Sequence, residues 1–170
     1  MLSLLLGFII TLIVTVFQIG LAGSFPLALL TYSAWLWLAG PSRITPWALA
    51  SVIIIDLYSS AFGINMAVWA ITIATISLLV KKVFTNRSLP ALLAVLLTTY
   101  VLSSLVRWGI WYGLAWVIPS APRITFRNDI DVAGFIIKIA LVILYGVCIW
   151  YIGGKKFATR QVFLVGGQII

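Results

Sequence analysis

Residues 47–80 read WALASVIIIDLYSSAFGINMAVWAITIATISLLV, 34 residues that carry one charge, Asp56. As a single helix at about 1.5 Å per residue this stretch would measure roughly 51 Å, far more than the ~30 Å hydrocarbon core of a bilayer. It therefore has to fold back on itself. The break falls within Asp56-Leu57-Tyr58-Ser59-Ser60-Ala61-Phe62-Gly63, because Asp and Ser compete for backbone hydrogen bonds and cap helix starts, while Gly permits a turn. Two spans joined by a hairpin result, the third and fourth of the chain.

Working outward, Leu2 to Leu21 has no charged residue and the length of one crossing, which makes it the first span. A cleaved signal peptide is the rival reading. No Lys or Arg precedes the apolar run, however, and another apolar segment follows at once, so the segment is expected to be retained. Gly23 and Pro26 mark a tight turn, and Leu27 to Leu38 gives a short second span stopped by Gly40-Pro41-Ser42-Arg43. Downstream, Lys81 to Arg87 forms a polar connector, and Ser88 to Pro90 supplies a cap and a proline where the fifth span, Leu89 to Val117, begins. Pro119 and Pro122 end it. The loop that follows, through Asp131, is the most polar of the chain and is expected to be solvent exposed. Val132 to Ile152 forms the sixth span, closed by Gly153-Gly154-Lys155-Lys156. The expected architecture is an all-α integral membrane protein: one domain of six transmembrane helices over residues 1–154, and a short cytoplasmic or interfacial tail over 155–170.

Composition agrees with this layout. At 64% hydrophobic and 8% charged, with a mean hydropathy of +1.22, the chain departs from soluble domains, which are about half apolar and about a quarter charged. A net charge of +8 would suggest a nucleic-acid partner in a soluble protein. Here the basic residues sit between apolar runs and act as topology signals instead. With the N-terminus inside, the cytoplasmic connectors carry Arg43, then Lys81, Lys82 and Arg87, then Lys155, Lys156 and Arg160. The outer loops carry Arg123 and Arg127, matched by Asp129 and Asp131. Six spans with both termini cytoplasmic satisfy the positive-inside rule, whereas five would scatter the basic connectors onto both faces.

The chain has no His and one Cys, Cys148, which excludes a His-ligated metal site, Ser/His and Cys/His catalytic pairs and an internal disulfide. An intramembrane aspartyl protease needs two facing acids, and only Asp56 lies in a span. A Ser/Lys dyad built on Lys138 lacks a Gly-flanked nucleophile turn. The chain reads as non-enzymatic, with no cofactor implied, and its few polar residues in spans make a poor ion path.

Asp56, Arg107 and Lys138 fall inside apolar spans, where an ionisable residue costs about 2.5 to 3.5 kcal/mol on insertion scales. All three are expected in the outer half of the bundle. In one reading Asp56 pairs with Arg107 or Lys138 across the bundle. In the other, Asp56 caps the fourth helix while Arg107 and Lys138 snorkel to the outer headgroups. Trp108, Trp111, Tyr112 and Trp116 mark an aromatic belt beside Arg107, which is placed to stack on Trp111. Gly109 and Gly113 make a GxxxG step, expected to serve helix packing within the bundle, and Cys148 reads as a small hydrophobe.

The stretch Val52-Ile53-Ile54-Ile55-Asp56-Leu57-Tyr58-Ser59-Ser60-Ala61-Phe62-Gly63-Ile64-Asn65 resembles the central motif of the rod shape-determining protein MreD family. There an apolar run ends in Asp-Leu, then a small-residue turn, then Gly-x-Asn. The length, six spans and basic connector after the fourth span are also similar; Val52 stands where the family often has Gly. The resemblance implies a non-enzymatic scaffold of the bacterial inner membrane, part of the cell-elongation machinery. Such proteins associate with the periplasmic scaffold MreC and, through it, with the enzymes that extend peptidoglycan along the side wall. By matching position, Asp56, Gly63 and Asn65 are implied to hold the turn that shapes the outer end of the bundle, where a partner docks. Arg107 and Lys138 are the other candidates for a structural or partner contact. The alternative is a subunit similar to the S-components of energy-coupling-factor vitamin transporters. In that case the Trp-rich outer end lines a pocket, and Arg107 or Lys138 meets an anionic ligand.

Overall fold

Where the chain begins and ends its helices follows from local chemistry. In the computed structural model, which describes residues 9, 13–19, 26–39, 45–58, 63–84, 88–117 and 132–154, every regular element among those residues is helical. Residues 13–19 are helical and form α1; α2 is Leu27–Ala39, α3 Thr45–Leu57, α4 Ile64–Lys82, α5 Leu89–Val117 and α6 Val132–Ile149. The last turn, Trp150–Gly154, widens to π-helical. Pro26 precedes α2 and its carbonyl accepts the Leu30 N–H. Pro46 stands in the first turn of α3, where its missing N–H leaves no bond unmade; helix therefore starts at Thr45, ahead of Trp47. Lys81 and Lys82 close α4, where positive charge complements the helix dipole.

Among the described residues, three helices are long and apolar enough to cross a membrane: Ile64–Lys82, Leu89–Val117 and Gly134–Ile152. The other two expected spans within the described residues are shorter. α2 and α3 have 13 residues each, about 20 Å. Of the first expected span, Leu2 to Leu21, Ile9 and residues 13–19 are helical; its remaining residues, the loop 118–131 and the tail 155–170 lie outside the described residues. The 47–80 stretch does divide, with α3 ending at Leu57 and α4 beginning at Ile64.

Side-chain contacts fix the directions. Asn65 meets Arg107, which sets α4 antiparallel to α5. Tyr100 packs on Phe135, while Gly146 lies against Leu93 and Leu96, so α6 returns antiparallel to α5. Thr31 bonds Tyr145 and Trp37 faces Trp150, so α2 runs parallel to α6. The order is up-and-down: α2, α4 and α6 run one way, α3 and α5 the other.

α2 is the post around which the others pack. Ala28, Leu29, Leu30, Tyr32, Ser33, Ala34, Leu36 and Trp37 are all buried, so nearly its whole circumference is covered by the other helices. Between apolar helices in lipid there is no hydrophobic driving force, so close packing and interhelical hydrogen bonds carry the association. Small residues provide the first. A Cβ on Gly146 would stand 2.6 Å from the Leu93 side chain, so this glycine is where α6 closes on α5. Buried polar side chains provide the second. Thr15 of α1 bonds Ser51 of α3, Ser51 also meets the Tyr32 hydroxyl of α2, and the Gln18 amide oxygen accepts the Ala28 N–H at the start of α2.

Candidate functional site

Asp56 sits in the last turn of α3 and is completely buried. The chain then turns back through Gly63, whose backbone is left-handed at φ 88°, a region that only glycine enters without strain. The first N–H groups of α4 point out of the helix with no intrahelical acceptor, and the Asp56 carboxylate lies in front of them. One oxygen, Oδ2, accepts the amides of Gly63 at 3.1 Å and Met66 at 3.0 Å, and Oδ1 accepts that of Asn65 at 3.2 Å. A negative charge at a helix N-terminus is also favoured by the dipole. Of the two readings of Asp56, the structure shows the cap.

Arg107 reaches the same place from α5. Its Nη2 donates to Asn65 Oδ1 at 2.9 Å, and Asp56 attracts its positive charge. The expected direct pair is thus replaced by a relay: guanidinium to Asn65 side chain, Asn65 amide to Asp56. The physical reason is competition, since three backbone N–H groups already occupy the carboxylate. The Arg107 side chain is half-buried and is held at this end of α5 by its bond to Asn65. Lys138, half-buried on α6, makes no ion pair with Asp56 and stays apart from this cluster. Asp56, Gly63, Asn65 and Arg107 are brought together; Lys138 is not.

Beyond Arg107 the final turns of α5 carry an aromatic ladder. Trp108 stacks on Tyr112 with ring centroids 5.4 Å apart, and Tyr112 meets Trp116 edge-on at 6.3 Å. All three are exposed. Gly109 and Gly113 overturn the packing expected of them: a Cβ built on either meets nothing within 4 Å. The close approach falls to Gly146 instead, which no spacing rule singled out.

A cleft of about 330 Å³ opens between α2, α3 and α4. Its floor includes Tyr32, Val52 and Trp69, all buried, and its rim includes the exposed Leu49, Met66 and Ala74. The two hydroxyls that line it are both engaged: that of Tyr32 with Ser51, that of Ser33 with the Leu29 carbonyl.

Chemically, the Asp56 cluster is built to hold a shape. Both carboxylate oxygens accept N–H bonds, and among the described residues no three His, Cys, Asp or Glu side chains group as metal ligands. Comparison with protein-family models, with curated proteins and with solved structures gives no match to this chain.

Proposed function

We propose that this chain is a non-enzymatic, six-span protein of the bacterial inner membrane with both termini in the cytoplasm. It acts as a scaffold or adaptor in the cell-elongation machinery, binding an MreC-like partner at the end of the bundle where α3 turns into α4. The observation that supports this reading is the junction of Asp56, Gly63 and Asn65. The three residues that carry the resemblance to the MreD family are one hydrogen-bonded unit, extended by Arg107. A unit in which both carboxylate oxygens are engaged by backbone donors serves to fix a surface. Beside it, the exposed aromatic ladder of α5 gives a partner flat, rigid contact area of the kind enriched in interface cores.

The transporter-subunit alternative is less well supported. Neither Arg107 nor Lys138, nor any tryptophan of the α5 ladder, lines the cleft between α2, α3 and α4, so that cleft does not offer the anion-directed contacts that reading needs.

Co-purification tests the proposal. The tagged full chain, extracted from a rod-shaped bacterium together with its own MreC-like protein, is expected to retain that partner through washing. Arg107→Met is expected to weaken the retention. Failure of the intact chain to retain the partner, with a tightly held small molecule seen by native mass spectrometry, would overturn the proposal in favour of a transporter subunit.

A further inference from the structure

The cleft between α3 and α4 has a shape, a lining and a position that point to one class of occupant. Along α4 it runs from Met66 to Ile76, ten residues or about 15 Å. That is half of the ~30 Å hydrocarbon core, the depth of one leaflet. That lining follows α4, a helix long and apolar enough to span a membrane, along which acyl chains lie. The floor is buried and apolar, and the hydroxyls of Tyr32 and Ser33 are already bonded, so the cleft presents little to a polar ligand. Its rim residues Leu49, Met66, Ala70 and Ala74 are exposed. They run continuously into the apolar outer surface of α3 and α4, which also carries Ile53 and Ile71.

The shortness of α3 adds a second argument. At 13 residues, about 20 Å, it cannot match the hydrocarbon thickness, so lipid beside it must thin or reorganise. A chain seated in the cleft fills the space that a straight lipid against α3 would leave. Ala70 and Ala74 keep the mouth open where a larger side chain would close it.

We propose that this cleft is a binding site for one acyl chain of a membrane lipid, in the leaflet on the Asp56 side. The purified full chain, reconstituted in phosphatidylethanolamine and phosphatidylglycerol vesicles doped with a lipid bearing a photoreactive diazirine midway along its acyl chain, provides the test. Crosslinks mapped by mass spectrometry are expected several-fold more often at Leu49, Met66, Ala70 and Ala74 than at Leu141 and Leu144, equally exposed residues of α6. Ala70→Phe and, separately, Ala74→Phe are expected to abolish the excess while leaving crosslinks on α6 unchanged. Equal labelling of the two faces in the unmodified protein would overturn the proposal, whether or not either variant folds. So would an excess that survives both variants.

Discussion

The carboxylate of Asp56 accepts the backbone N–H of Gly63 at 3.1 Å, seven residues further along the chain, and so ties the end of α3 to the start of α4. Removing this tie leaves three backbone donors without an acceptor, that of Asn65 buried and those of Gly63 and Met66 part-buried, and a fully buried neutral orphan costs about 1–3 kcal/mol. Asp56→Ala is therefore expected to destabilise the bundle by about 3 kcal/mol or more. Asp56→Asn, which keeps one acceptor oxygen, is expected to recover part of that. Detergent or denaturant unfolding of the purified protein measures both; an unchanged midpoint for Asp56→Ala would contradict the cap.

Asn65 and Arg107 are coupled, and a double-mutant cycle measures by how much. Asn65→Leu and Arg107→Met each break the 2.9 Å bond between α4 and α5. Their combination is expected to be less damaging than the sum by about 1 kcal/mol, the scale of interhelical hydrogen bonds in membranes. Strict additivity would mean that the relay from Arg107 to Asp56 carries no energy.

The glycines separate by what surrounds them. At φ 88°, Gly63 is expected to lose about 1 kcal/mol on replacement by Ala, from backbone conformation alone, since a Cβ there meets nothing within 4 Å. Gly109→Ala and Gly113→Ala, in open helix, are expected to stabilise the isolated protein by about 0.5–1 kcal/mol. Gly146→Leu is expected to separate α6 from α5, because even a Cβ presses on Leu93 and Leu96. Thermal unfolding of the four variants gives the ranking; a stabilising Gly146→Leu would contradict the α5–α6 contact.

Thr72 supplies an opposite case. It is fully buried, and its hydroxyl has no hydrogen-bond partner among the described residues, whereas Thr75 and Thr99 bond the carbonyls four residues back. Replacement by the near-isosteric Val removes an unsatisfied polar group. Thr72→Val is expected to raise stability by about 1 kcal/mol. A loss of that size would show that Thr72 bonds a buried water.

Much of this arrangement is legible in residues 47–80 read by length alone. One charge in 34 residues forces a hairpin, and Asp56 with Gly63 marks where. The residue letters allow Asp56 two roles, and three backbone amides that no letter displays decide between them. The glycine at the closest helix contact was hidden for a related reason. Gly109 and Gly113 have the familiar spacing, but a Cβ built on either meets nothing within 4 Å; Gly146 has no glycine at that spacing and lies where two leucines of α5 converge. The buried hydroxyls Thr15, Ser51 and Tyr32 were visible as polar letters in apolar runs. Their meeting across three helices is set by packing.

The claim on which the rest depends is that the Asp56 turn faces the outside of the cell, where a periplasmic partner can reach it. Tyr58 is 75% exposed and closes α3 beside that turn. In a Cys148→Ser background, Tyr58→Cys is expected to react with a membrane-impermeant maleimide in cells whose inner membrane is intact. Labelling of that cysteine only after the inner membrane is opened would put the turn in the cytoplasm and contradict the account.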